Sequence, residues 1–319
     1  MSILYPMIKP YTTHELPVDS PHVLYIEETG NPNGVPVLVL HGGPGLGSDP
    51  YFRRFFDPNF YRIILFDQRG CGRSTPYLEL TLNSTDKLLN DIDAIKSFLK
   101  LDKMVLFGDG WGALLALLYA EIHPDSVSHL LLFRTSLGRA QDIDWLYKEG
   151  ANAIYPDAWQ DFVRAMQQEG IEKPINYYYD CINGRNELMG MASARQWALW
   201  RQRCSSLHTN VSVTENPLDS HAAMSLVTLE THYLLNHFFI KENQVMNHMD
   251  NIKSIPTYFV HGRYDMISPL QGVWLLHLLH PLSRLSIVRE AGHSEYELGI
   301  SDALLMATAE IAAQNMDAS

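Results

Sequence analysis

Two turns late in the chain carry an acid and an imidazole that could work together. His261-Gly262-Arg263-Tyr264-Asp265 follows the apolar run from Thr257, and Ala291-Gly292-His293-Ser294 follows the run from Arg284 to Val288. An Asp and a His on the turns after successive strands form the arrangement in which a carboxylate orients an imidazole as general base. A base of this kind serves a nucleophile, and Gly108-Asp109-Gly110-Trp111-Gly112 is the segment shaped to hold one. Small residues two before and two after its centre are what a strained strand-turn-helix elbow requires, because a side chain at either place would clash. The centre is Gly110, which has no side chain. Ahead of it, His41-Gly42-Gly43-Pro44-Gly45 offers bare backbone N–H groups, the material of an oxyanion hole. Asp67-Gln68-Arg69-Gly70-Cys71-Gly72-Arg73-Ser74 reads as a buried, hydrogen-bonded supporting loop, with Cys71 a structural thiol rather than a nucleophile.

The elements that must position these turns follow from hydrophobic pattern. Pro36 to Leu40, Tyr61 to Phe66, Met104 to Phe107, Val127 to Phe133, Thr257 to Val260 and Arg284 to Val288 are predicted strands. Helices are predicted over Leu82 to Leu99, Leu114 to Ile122 and Leu270 to Leu279. Continuous rather than alternating apolar strands, separated by helices, predict an α/β fold with a mostly parallel, doubly wound sheet covered on both faces. Between residues 138 and 245 the spacing turns helical and aromatics accumulate, including Trp145, Trp159, Trp197 and Trp200. The expected organisation is a core of residues 1–137 and 246–319 interrupted by a helical cap, 138–245. A cap above the carboxyl ends of the strands is where such a protein lines a ligand pocket.

Composition excludes other classes. With 24 basic against 36 acidic residues, a net charge of -12 argues against nucleic acid as a partner. No apolar stretch approaches the roughly 20 residues that span a bilayer, and the first residues lack the basic-then-apolar pattern of a secretory leader. The three cysteines, Cys71, Cys181 and Cys204, are too few and too scattered for a disulfide framework or a metal site. A cytoplasmic location, no metal and no membrane partner are therefore expected.

HGGPG, DQRGCGRS, the elbow with Trp after its centre, HGRYD and AGHS, in this order, resemble the proline iminopeptidase (prolyl aminopeptidase) family of α/β-hydrolases. The likeness continues into the cap at Asp144-Trp145-Leu146-Tyr147-Lys148-Glu149-Gly150 and Tyr155-Pro156-Asp157-Ala158-Trp159, and runs from about residue 10 to about residue 300. It implies an α/β-hydrolase fold, removal of an N-terminal proline by acyl transfer to serine, and no cofactor. It also implies roles: His293 as general base, Asp265 as its orienting acid, and the backbones of Gly43 and Trp111 as oxyanion donors. The family's serine falls on Gly110, its preceding glycine on Asp109, and a small polar residue on Ala113. In the cap, Trp197-Ala198-Leu199-Trp200 matches a substrate-binding motif whose following glutamate is here Arg201, while Glu230 keeps the second glutamate that holds the substrate's ammonium.

Asp109 does not replace the serine, because centring the elbow on it would put Phe107 and Trp111 where small residues are needed. Arg201 would repel an ammonium and suit an anion, unless it faces solvent. Four departures together, Asp109, Gly110, Ala113 and Arg201, favour natural divergence over an engineered knockout. The expectation is a family member without serine-peptidase activity that keeps a pocket for a small molecule or peptide N-terminus. The alternative is a working prolyl aminopeptidase in which Gly110 is engineered or compensated. A third possibility is an interaction protein whose cap has collapsed, leaving no cavity above His293.

Overall fold

In Val35–Leu40 and Met104–Asp109 the buried side chains go alternately to the two faces of one sheet. Leu38, Leu40 and Leu106 join the apolar cluster on one side, and Val37, Val39, Val105 and Phe107 the cluster on the other. Both faces are covered, which is why these runs are apolar throughout. The computed structural model describes residues 3–207, 219–297 and 299–317.

The sheet contains β1 (Thr12–Pro17), β2 (Val23–Gly30), β3 (Val35–Leu40), β4 (Tyr61–Phe66), β5 (Met104–Asp109), β6 (Val127–Phe133), β7 (Thr257–Gly262) and β8 (Ser283–Val288). Their spatial order is β1-β2-β4-β3-β5-β6-β7-β8. The pairs β1/β2 and β2/β4 are antiparallel and the others parallel. This is an α/β-hydrolase fold, and the strands read from the sequence are all in it. β1 and β2 are additions. Glu27 and Glu28 make β2 look like surface, yet both are buried: Glu27 pairs with Arg53 and Arg73, and Glu28 with Arg62 and His14.

Helices α1 (Thr85–Phe98) and α2 (Trp111–Ile122) cover one face. A helical insert then occupies the chain between β6 and β7. It comprises α3 (Ala140–Tyr147), α4 (Ala151–Ile154), α5 (Pro156–Gln168), α6 (Pro174–Asn183), α7 (Glu187–Ser205), α8 (Ser220–Leu235), α9 (Gln244–Asn247) and α10 (Met249–Ile252). After it come α11 (Leu270–Leu279) and, against the opposite face, α12 (Ile300–Asp317). The insert has an aromatic centre of its own, in which Phe162 stacks on Tyr178 and on Trp200. That centre is continuous with the apolar cluster of α1 and α2, so insert and sheet share one core. No described helix is long and apolar enough to cross a membrane.

Candidate functional site

The site starts from the junction of β5 and α2. Gly110 sits there at φ 56°, ψ -108°, between the last residue of the strand and the first of the helix. This backbone conformation is strained for any residue with a side chain. The helix lies so close to β3 that a Cβ on Gly112 would run into the Leu40 carbonyl. The turn is held by its own backbone. Gly110 N–H donates to Phe133 O at 3.0 Å, and Gly110 O accepts from Ala113 N–H at 3.1 Å. A Cβ on Gly110 would meet nothing nearer than Arg134 Cγ and Nε, both at 4.0 Å. The elbow therefore keeps its shape and leaves room for a side chain it does not have.

Beside it lies an ion cluster. Asp109 and Phe133 are paired in the parallel β5/β6 register, so Arg134, the next residue, flanks the elbow. Arg134 Nε donates to Asp109 Oδ1, and Nη2 donates to Oδ2 at 2.8 Å, a bidentate pair in which both residues are buried. The remaining nitrogen, Nη1, donates to His293 O at 3.0 Å and to Glu295 Oε2 at 2.9 Å. Burial works against the guanidinium charge, but the carboxylates of Asp109 and Glu295 outweigh it and hold the arginine protonated. The first glycine turn is fitted to this cluster too: a Cβ on Gly42 would come within 2.9 Å of Asp109 Oδ2.

Across the cluster the structure brings the acid and the imidazole together. His293 Nδ1 lies 2.9 and 2.8 Å from the two carboxylate oxygens of Asp265. Asp265 Oδ1 also accepts from the N–H groups of Ile267 (2.9 Å) and Ser268 (2.8 Å). The His293 turn is fastened from a second direction by the C-terminus of α7, where Ser205 O accepts from His293 N–H at 2.8 Å and from Ser294 N–H at 3.1 Å. Burial pushes the Asp265 pKa up. Burial, with the charges of Arg134 and Arg201, drives the His293 pKa well below the usual value, so the ring is neutral at neutral pH. With Nδ1–H donated to Asp265, the lone pair belongs to Nε2, which makes no hydrogen bond among the described residues and belongs to a cavity-lining ring. A neutral imidazole so held can take a proton from a bound molecule or a water.

The cavity above these groups has a volume of about 720 Å³. Gly43, Gly110, Trp111 and His293 line its sheet side, and Arg201, Glu230 and Leu226 its helical side. Glu230 is buried inside the insert. It accepts hydrogen bonds from Tyr147 Oη (3.0 Å) and Trp197 Nε1 (2.8 Å), and Arg201 Nε lies 3.5 Å from its Oε1. Burial raises its pKa, against the pull of Arg201. Asp265, bonded to His293, does not line the cavity, and neither does the expected site residue Trp200. It is buried in the aromatic centre against Trp159 and Phe162 and lines a separate, smaller space. The physical reason is helical phase: one residue away on α7, Arg201 takes the cavity side. Among the described residues no group of three or more His, Cys, Asp or Glu could hold a metal ion.

Supporting loops agree with their sequence reading. Asp67 accepts from Ser48 N–H (2.8 Å) and Arg73 Nε (2.8 Å), and Arg69 pairs with buried Asp91 at 2.6 Å. Cys71 is fully buried, its thiol pKa raised well above the usual value by burial, and its Sγ–H donates to Gln68 O at 3.2 Å. Arg134 and Glu295, in contrast, were not among the expected site residues. The available signal was positional, since the residue after a parallel strand stands at the carboxyl edge of the sheet.

A family model described as the alpha/beta hydrolase fold matches residues 35–299, which defines the class. Within that class, a probable proline iminopeptidase of Leptolyngbya boryana is 41% identical over 315 residues, covering 98% of either chain. The proline iminopeptidase of Arabidopsis thaliana is 41% identical over 97% of this chain and 82% of its own. The chain belongs to the proline iminopeptidase family. Among solved structures, a proline iminopeptidase of Mycobacterium smegmatis superimposes with a TM-score of 0.65 over 97% of this chain and 100% of that one, at 17% identity, a likeness of fold.

Proposed function

We propose that this member of the family binds a small molecule or a peptide terminus in the cavity lined by His293 and Arg201 and lacks serine-peptidase chemistry. The observation that carries this reading is Gly110: the strained turn is intact, His293 is oriented by Asp265, and no side chain stands at the elbow to receive the acyl group. In the proposed assignment His293 is the base, Asp265 its orienting acid, and the N–H groups of Gly43 and Trp111 the oxyanion donors. Without a nucleophile, such a set retains a residual acceleration on the order of 10³–10⁴ over water, far short of an effective peptidase.

A second reading has its own support. The relatives that match nearly the whole chain carry the name proline iminopeptidase, which favours release of N-terminal proline from peptides with Gly110 an engineered or compensated residue. One experiment separates the two. The purified chain is incubated with a fluorophosphonate probe and with a proline arylamide. The binding reading expects neither labelling nor arylamine release. Release at a rate comparable to an authentic family enzyme would overturn it in favour of the aminopeptidase.

A further inference from the structure

Two guanidinium groups line the cavity, and they are not equivalent. Arg134 is spent: Nε and Nη2 are on Asp109, and Nη1 is on His293 O and Glu295. Arg201 is not. Its nearest approach to a carboxylate is Nε to Glu230 Oε1, at a long 3.5 Å, and among the described residues its two Nη groups make no hydrogen bond. The side chain is only 13% exposed and lines the cavity. A guanidinium edge is a planar fork of N–H donors that matches a carboxylate in bidentate fashion. A ligand oxyanion entering the cavity would give this guanidinium a charge-assisted partner that the described residues do not supply to its Nη groups.

Glu230 makes the complementary point. Its oxygens already accept from Tyr147 Oη and Trp197 Nε1 and face Arg201 Nε. A ligand ammonium reaching for Glu230 would have to displace neutral donors and sit beside the Arg201 cation. Like charges in a low-dielectric cleft repel strongly, so the site discriminates against a free amine. Leu146, Leu226 and Phe238 supply apolar wall beside the charged end.

We infer that the cavity recognises its ligand through a carboxylate, not through a free ammonium, and that Arg201 is the group that takes it. This rests on the reading of the cavity as a retained binding site. The sheet-side end, where the Nε2 lone pair of His293 and the Trp111 N–H lie, is left for the other end of the ligand.

The test uses two probes that share a ring and differ in charge. N-acetyl-L-proline has a carboxylate and no ammonium; L-prolinamide has an ammonium and no carboxylate. Isothermal titration and thermal shift are run on the full chain with each probe at equal millimolar concentration. N-acetyl-L-proline is expected to bind saturably and raise the melting temperature, and L-prolinamide to do neither. Arg201→Gln should weaken N-acetyl-L-proline at least about tenfold, the loss that follows removal of a charge-assisted hydrogen bond. Arg201→Glu should reverse the preference in favour of L-prolinamide. Preferential binding of L-prolinamide by the unaltered chain, binding of N-acetyl-L-proline indifferent to Arg201→Gln, or no binding of either probe overturns the inference. If a variant fails to fold, the two-probe comparison on the unaltered chain still decides. Arylamide hydrolysis is a separate readout: its appearance would sink the non-peptidase reading and leave the carboxylate preference to be judged on binding.

Discussion

The two sides of the cavity floor were built by different means. On one side, Asp265 and His293 form a neutral-ring acid–base arm fixed by backbone: Ile267 and Ser268 N–H groups hold the carboxylate, and Ser205 O holds the imidazole's turn. On the other, the elbow carries Gly110 at its centre and stands beside an ion cluster of Asp109, Arg134 and Glu295. Arg134 joins the sides by donating to the His293 carbonyl. The acid–base arm is therefore held by main-chain hydrogen bonds, whereas the elbow side is held by charge pairing that leaves the space above Gly110 open.

The largest effect that could break this comparison is the removal of Arg134. Arg134→Met leaves the Asp109 carboxylate buried without its partner, and the expected loss in urea unfolding is about 3–5 kcal/mol. Replacing Asp109 by Leu in the same chain should recover most of it, because a buried pair and an apolar pair of similar volume are nearly equivalent in stability. A loss of only a few tenths would mean that the cluster is ornamental. Next in size is Gly110→Ser. A Cβ there meets nothing within 4 Å except Arg134 atoms at 4.0 Å, so the cost is that of the strained backbone, about 1–3 kcal/mol by the same measurement. A far larger loss would show that the elbow has no room for a side chain at this position.

The smallest expected effect sharpens the acid–base arm. His293 has a pKa in the fold below its unfolded value of about 6.5, so the unfolded chain takes up the proton first as pH falls. Its contribution to stability is full above about pH 6.5 and is lost as pH falls from there toward the folded value, by at most about 1.4 kcal/mol per pH unit. The fall in melting temperature from about pH 7.5 to about pH 5.5 should accordingly be smaller in His293→Gln than in the unaltered chain. An equal fall in both would place the linkage on other buried histidines such as His41 and His280, which burial also depresses.

The strands with two buried faces were legible because a parallel sheet inside helices writes itself as unbroken apolar runs. The elbow, the acid and the imidazole were legible because each follows such a run. β1 and β2 were not: β1 is a half-exposed edge, and the paired charges on β2 imitate surface. In the site, the opposed signs of Arg201 and Glu230 could be read, but not that the two stand 3.5 Å apart on neighbouring helices. Arg134 escaped because its partner lies 25 residues back along the chain, and only the β5/β6 register makes them neighbours. Trp200 was set at the site by its motif, and the turn of α7 carried it into the aromatic centre instead.

The bidentate bond between Asp109 and Arg134 also bears on history. Removing Arg134 first strands the buried Asp109 carboxylate and forfeits several kcal/mol, a large part of an ordinary domain's reserve of about 5–15 kcal/mol, whereas shrinking Asp109 first leaves the arginine with Glu295 as its remaining partner. A lineage carrying this pair can change Asp109 first at less cost than Arg134. The ion cluster thus sets the order in which its members can be replaced.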